Sequence, residues 1–147
     1  MSVRVYSEIN LHITWHTKNS LPMIDSKMQA DLFAFLKNKI VETRGAYFHA
    51  IGGIETHVHI GCSVKPSVHI DEWVGQLKGA SSFEMGKGLQ WQAGYGIVSF
   101  GTKDLKWVVD YVRDQREHHS RGTIFDRLER IERLSDDEWD FSLEVSP

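Results

Sequence analysis

The sequence predicts an α+β domain of ferredoxin-like topology, a β-α-β-β-α-β sandwich with an antiparallel sheet and one added C-terminal helix. Three observations predict it. A two-residue apolar alternation runs through EINLHITWHT from Glu8 to Thr17. A four-residue recurrence of Met28, Leu32, Leu36 and Ile40 follows. Two further strand-like runs then stand back to back ahead of a second helical stripe.

In the first run Ile9, Leu11, Ile13 and Trp15 share one face and Asn10, His12, Thr14 and His16 the other, the pattern of a strand with one face on a core. The helix after Pro22 takes Asp25 or Ser26 as N-cap and stops at Gly45. Strands at about 46–54 and 56–64 come next, with Gly52 and Gly53 near their junction as a turn or bulge signal and Pro66-Ser67 closing the pair. Ile70, Trp73, Val74, Leu77 and Phe83 then recur at helical spacing as far as Gly86 and Gly88. A Gly-rich strand at 95–100 and a helix starting at Lys103 or Asp104 complete the order. No repeat or Pro/Gly/Ser linker divides the chain, so residues 1–135 read as one domain and 136–147 as an acidic tail.

A chain of 147 residues with 41% hydrophobic content buries one core and has no room for two ordinary domains. No apolar run approaches the roughly 18 residues of a membrane helix, and residues 1–10 lack the basic-then-apolar order of an export signal. A cytoplasmic protein without a membrane partner is the expectation. The one cysteine, Cys62, sits in an apolar run and reads as a buried thiol. The formal charge is −3, but Asp136, Asp137, Glu138, Asp140 and Glu144 crowd the tail. Residues 1–135 carry 17 basic and 15 acidic groups, a net of +2. Any nucleic acid would have to be held by local clustering, base stacking or a folded hairpin rather than by overall charge.

The sharpest chemical signal is His57-Val58-His59 inside a strand. Side chains two apart on a strand share a face at about 6–7 Å, close enough to converge on one cation. The first strand should pair with this one at the sheet centre and bring His12, Thr14 and His16 to the same side. There His12 reads as a hydrogen-bonding neighbour rather than a ligand. In the last helix Leu105, Val108, Val109 and Val112 form a core stripe, and Tyr111, Gln115 and His118 follow at i, i+4 and i+7 on an adjoining one.

The segments HITWHTKN, ETHVHIGCSV, LKGASS, WQAGYGIVSFG and YVRDQREHH, in this order, resemble the single-tyrosine HUH transposases of bacterial and archaeal insertion sequences, the IS-two-hundred-like group, over about residues 8–125. The resemblance implies a DNA transposase that cleaves and rejoins single-stranded DNA at hairpin-bearing element ends. It makes Tyr111 the nucleophile, linked to a 5′ phosphate while a 3′ hydroxyl departs, and His57, His59 and Gln115 the metal ligands. His118, like His12, would stand behind the ligands. Relatives often carry asparagine before the first of the paired histidines; this chain has Thr56. The resemblance also implies a homodimer in which Tyr111 of one chain serves the histidines of the other; the sequence is compatible, since the tyrosine helix follows Gly101, a hinge position.

Imidazole ligands suit Mn²⁺ better than Mg²⁺, so the expected cofactor is Mg²⁺ or Mn²⁺ with Mn²⁺ bound more strongly, and zinc stays open. Candidate DNA contacts are Lys18, Lys78, Ser81, Ser82, Arg113 and Arg116, with Arg121 as a further one; Trp91 and Tyr95 could stack on bases but read first as core. Two rival readings stand beside this one. A non-cleaving hairpin DNA- or RNA-binding module of the same fold would be expected to expose aromatics where this sequence has histidines. A small metal hydrolase with a water nucleophile would leave Tyr111 without a task.

Overall fold

The computed structural model describes residues 4–131; the acidic tail at 136–147 lies outside them. The chain runs β1 (Asn10–His16), α1 (Ser26–Glu42), β2 (Ala46–Ile54), β3 (His57–Val64), α2 (Ile70–Met85) and β4 (Gly96–Phe100), followed by α3 (Leu105–Arg113), α4 (Gln115–Arg121) and α5 (Asp126–Glu129). The four strands form one sheet in the order β2-β3-β1-β4, with every neighbouring pair antiparallel. This is the predicted ferredoxin-like arrangement. None of the described helices is long and apolar enough to cross a membrane.

Alternation on the two central strands sorts the interior. Leu11, Ile13 and Trp15 of β1 and Val58, Ile60, Cys62 and Val64 of β3 meet Leu32, Leu36 and Ile40 of α1 and Trp73, Val74 and Leu77 of α2 in the main core. Cys62 is fully buried, and burial pushes its thiol up to about 12. Helix α1 starts where Asp25 caps it, its carboxylate accepting from the Met28 N–H at 2.8 Å. Beyond its end, Gly45 adopts a φ of +86°, a left-handed turn that glycine enters without a Cβ penalty. Phe83 departs from expectation and is 90% exposed. Six residues past Leu77 is about 120° off the Leu77 direction on an α-helix, so Phe83 faces away from the core stripe.

The far side of the sheet is covered too. The expected single C-terminal helix is three pieces: α3 stops at Asp114, whose φ of −99° and ψ of 29° leave the helical region, and α4 ends at the left-handed Gly122. Helix α3 lies on β2, where Val108 and Val112 pack with Ala50, Phe100 and Val109, and α5 lies over β4 and β1. Two glycines admit these segments. A Cβ on Gly52 would stand 1.8 Å from the Val112 carbonyl oxygen, and one on Gly96 would stand 1.7 Å from that of Arg130. Gly52 and Gly53 therefore do not form the turn. Residues 55 and 56 do, and the bulge falls between Phe48 and Ala50.

Gly52→Ala should cost about 1–3 kcal/mol or more by forcing α3 off the sheet, while Gly61→Ala, with no atom within 4 Å of its added carbon, should be far milder. Urea unfolding of both variants checks this, and equal losses would show that the α3 approach is not what Gly52 serves.

Candidate active site

The face of the sheet beneath α3 to α5 carries the polar members of the central strands. His59 lies opposite Thr14 on β1 and Gly52 on β2, and His57 lies opposite His16 and Ile54. Sequence pattern alone makes this a polar, water-facing surface; the structure buries it, with His57 2% exposed and His12, His59 and Gln115 fully enclosed. Burial makes every hydrogen bond count. Thr14 donates to the Val58 carbonyl at 2.7 Å, His59 Nδ1 pairs with His12 Nε2 at 2.7 Å, and His57 Nδ1 pairs with the Thr56 hydroxyl at 2.9 Å. His16 stacks on His57 with ring centroids 4.7 Å apart. Both paired histidines thus turn their Nε2 atoms toward the same point.

Two residues from the C-terminal segments meet them there. His119 of α4 places its Nε2 3.2 Å from His57 Nε2. Glu129 of α5 holds Oε1 3.4 Å from His57 Nε2 and 3.3 Å from both His59 Nε2 and His119 Nε2. Its Oε2 accepts a short hydrogen bond from the Tyr111 hydroxyl, which in turn accepts from the Phe125 N–H at 2.8 Å. These four residues form a group able to hold a metal ion, with ligand atoms all within 4.8 Å of one another.

Tyr111 is nearly buried, its ring 6.0 Å from that of His59 and stacked with both Trp107 and His118. Gln115 donates through Nε2 to the Tyr111 carbonyl at 2.8 Å, so the i, i+4 relation survives the helix break. Its Oε1 is buried without a hydrogen-bond partner, and so is His59 Nε2. The orphaned Gln115 oxygen, beside three imidazoles and a carboxylate, gives a donor set that fits a divalent cation.

Electrostatics follow the burial. Enclosure lowers His12 to about 3 and His59 to about 4, the neighbouring imidazoles adding to the effect and the Glu129 carboxylate opposing it; His16 falls to about 4 for the same reason. Burial also lowers His119. For Glu129, burial alone would raise the carboxyl, but the facing imidazoles of His57 and His59 override it and hold the group far below the carboxylate range. Burial and the adjacent Glu129 push the Tyr111 phenol well above 10. The arrangement keeps the tyrosine protonated.

The candidate DNA contacts scatter. Lys78 Nζ is spent on the carbonyls of Gln92 and Gly94, both at 2.8 Å. Ser81 is fully buried, donating to the Lys78 carbonyl and accepting from Trp91 Nε1, so its hydroxyl is closed to a surface phosphate. Ser82 is half-buried and bonds the Gly79 carbonyl. Lys18 and Arg113 are exposed, while Arg116 pairs with Glu55 at 2.7 Å and Arg121 with Glu117 at 3.1 Å. Trp91 packs edge-on against Trp15, and Tyr95 bonds Asp71 through its hydroxyl. His118 stacks on the tyrosine and bonds Thr123 rather than entering the cluster. Sequence reasoning left out His119 and Glu129. For His119 the paired histidines at 118 and 119 were a signal; for Glu129, in a four-residue helix past Gly122, there was none.

With this geometry in view the comparisons are specific. The family described as Transposase IS200 like matches residues 5–115. The chain belongs to the IS200-like transposase family. A solved protein of Deinococcus radiodurans assigned as a transposase shares the fold at a TM-score of 0.60 and 21% identity, over 78% of this chain and 97% of that one. A REP-associated tyrosine transposase, solved bound to a REP hairpin, does so at 0.61 and 15%, over 92% of this chain and 93% of that one. At these identities the likeness is one of fold. No curated protein matches the chain.

The histidine burial sets a pH dependence in this IS200-like transposase. Unfolded histidines take up protons near 6.5, while folded His12, His16 and His59 resist until about 3 to 4. The native state binds fewer protons in that window, so stability is fully present above about pH 6.5 and is lost as pH falls toward 4. Glu129, held low, loses its contribution in the same direction at still lower pH. Urea midpoints of metal-free protein should fall between pH 7 and 5, and a flat profile would mean these imidazoles are not buried as neutral groups.

Proposed function

We propose that this IS200-like transposase cleaves and rejoins single-stranded DNA through a covalent 5′-phosphotyrosine on Tyr111, with His57, His59 and Gln115 as metal ligands. The observation that carries the reading is the placement of the Tyr111 ring 6.0 Å from His59, beside a group able to hold a cation. The Tyr111 oxygen attacks phosphorus, the bond to the 3′ oxygen breaks, and the phenolic proton ends on that departing oxygen. Reversal by a 3′ hydroxyl rejoins the strand, and the retained phosphodiester energy makes ATP unnecessary. A bound divalent cation, Mg²⁺ or more strongly Mn²⁺, supplies positive charge against the phosphoryl oxygens.

The chain's own residues do the rest. His12 and Thr56 fix the ring orientation of His59 and His57 through their Nδ1 atoms. Trp107 and His118 clamp the tyrosine ring, which orients the hydroxyl. The Gln115 amide also lies where it favours the phenolate. Since the phenol is raised and Glu129 lowered, proton transfer between them is unfavourable as they stand, and a cation held by the histidines would favour the phenolate. Exposed Lys18 and Arg113, and Arg116 once released from Glu55, are the proposed backbone contacts. A hairpin substrate is supported by the fold-related protein that was solved on a REP hairpin.

On hairpin-bearing single-stranded DNA with Mn²⁺, wild-type protein should give a covalent adduct on a denaturing gel and Tyr111→Phe none. His57→Ala and His59→Ala should each lower cleavage by more than the ~10–100-fold that an outer partner such as His12 costs. Normal metal-dependent cleavage by any of the three would defeat the assignment. A folded Tyr111→Phe protein that still cuts would point to the water-nucleophile reading instead.

The reading includes a homodimer that exchanges tyrosines in at least one state. Within one chain the Tyr111 ring lies 6.0 Å from that of its own His59, an arrangement that this reading takes as unexchanged. Tyr111→Phe and His57→Ala, each inactive alone, should regain part of the cleavage when mixed and allowed to exchange subunits. Heterodimers that form yet never cleave would argue for a site assembled within one chain.

A further inference from the structure

His119 and Glu129 have no task in the reading above, yet they complete its metal cluster. Four of the six separations among the ligand atoms are 3.2, 3.3, 3.3 and 3.4 Å, and all six lie within 4.8 Å. A tetrahedral ion with bonds of about 2.0–2.1 Å to nitrogen and oxygen has ligand-to-ligand edges of about 3.3–3.4 Å. An octahedral Mg²⁺ at similar bond lengths would bring neighbouring ligands to about 2.8–3.0 Å. The three edges from Glu129 to the imidazoles and the one from His57 to His119 are of tetrahedral length.

Hydrogen bonding alone accounts poorly for the contact at His59. His59 Nε2, fully enclosed and 3.3 Å from Oε1, makes no aligned hydrogen bond to it. Co-ligands of a shared ion lie near each other in this way, each lone pair aimed at the centre rather than at its neighbour. The Nδ1 atoms of His57 and His59 face the Thr56 oxygen and His12 Nε2, which can take their N–H groups and leave both Nε2 lone pairs free.

We propose that His57, His59, His119 and Glu129 form a closed four-ligand site for a tetrahedral divalent cation of the Zn²⁺ type, with Glu129 bridging that ion and the Tyr111 hydroxyl. The inference rests on the metal-dependent reading above for His57 and His59, and adds a resting state to it. Three imidazoles and a carboxylate are a zinc-type donor set, softer than Mg²⁺ selects. A closed structural site has no vacant position, whereas phosphoryl chemistry needs one. Glu129 is the ligand that can yield it, because it comes from a four-residue helix while His57 and His59 are fixed in a central strand. Its departure would also release the tyrosine hydroxyl.

Co²⁺ is the probe, since four-coordinate Co²⁺ absorbs visible light strongly and six-coordinate Co²⁺ only faintly. Titration of the full chain with Co²⁺, without DNA, should give the intense four-coordinate bands at one ion per chain, and Zn²⁺ should displace them. Glu129→Gln and His119→Ala, checked for folding by circular dichroism, should each weaken Co²⁺ binding by at least about 10-fold, the least that even an outer partner costs, with the bands fading. Faint six-coordinate bands in the wild type would overturn the proposal even if both variants failed to fold. So would bands abolished by Gln115→Ala but untouched by Glu129→Gln. Failure here with the Tyr111 adduct still formed leaves the cleavage reading standing, and a four-coordinate spectrum without any adduct removes only that reading.

Discussion

A strand buried on both faces must sort its side chains by chemistry, and β3 does so in two-residue steps. Val58, Ile60 and Cys62 go into the apolar core while His57 and His59, one position out of phase, go to the opposite side. Once α3 to α5 cover that side, neither imidazole can be left to water, and each unpaired polar group enclosed there would cost about 1–3 kcal/mol. The rest of the site answers this constraint. His12 and Thr56 take the Nδ1 atoms, while Glu129 and His119 stand against the Nε2 atoms. A slip of one residue in the β1–β3 register would turn the histidines into the core and the core residues into the site.

Covering a sheet closely enough to enclose imidazoles requires backbone against backbone. Gly52 flanks His59 on β2, and Gly96 flanks Thr14 on β4, so the two strands beside the central pair are bare where the C-terminal segments descend. The Val112 carbonyl rests over one and the Arg130 carbonyl over the other. Each contact sets the height of a neighbouring functional residue, Tyr111 one position before Val112 and Glu129 one position before Arg130. Local packing and site geometry are therefore the same variable here. An alanine at either glycine would be read in the position of the tyrosine or of the carboxylate before it was read anywhere else.

What the sequence makes legible is what depends on local periodicity. The α1 stripe, the two-faced β1 and the shared face of His57 and His59 follow from spacing alone, and the family resemblance extends that to the fold. What stays hidden depends on tertiary closure. Gly52 looks like a turn glycine until α3 is seen above it. Ser81 looks like a phosphate contact until Trp91 is found on its hydroxyl. The i+7 spacing does bring His118 onto Tyr111, and its stacking there leaves His119, about 100° further round the helix, to face His57. Glu129 belongs to a four-residue helix whose pattern carries no amphipathic signal, and only its approach over Gly96 places it.

The same cluster joins stability to activity on the proposed reading. Three imidazoles and the Glu129 carboxylate face one another, an arrangement that favours a cation, and Glu129 also holds the tyrosine hydroxyl. A phosphodiester also carries one negative charge and offers oxygens to the same cation. Exchanging the carboxylate for the phosphate would therefore leave the net charge of the site unchanged. What differs is the geometry of the anion. A carboxylate has only two oxygens and holds the tyrosine as a protonated donor, whereas a phosphoryl group presents an electrophilic phosphorus to the same hydroxyl. The fold can thus keep its nucleophile masked by the group whose place the substrate takes, and the imidazoles that stabilise the masked form are those that would orient the reactive one.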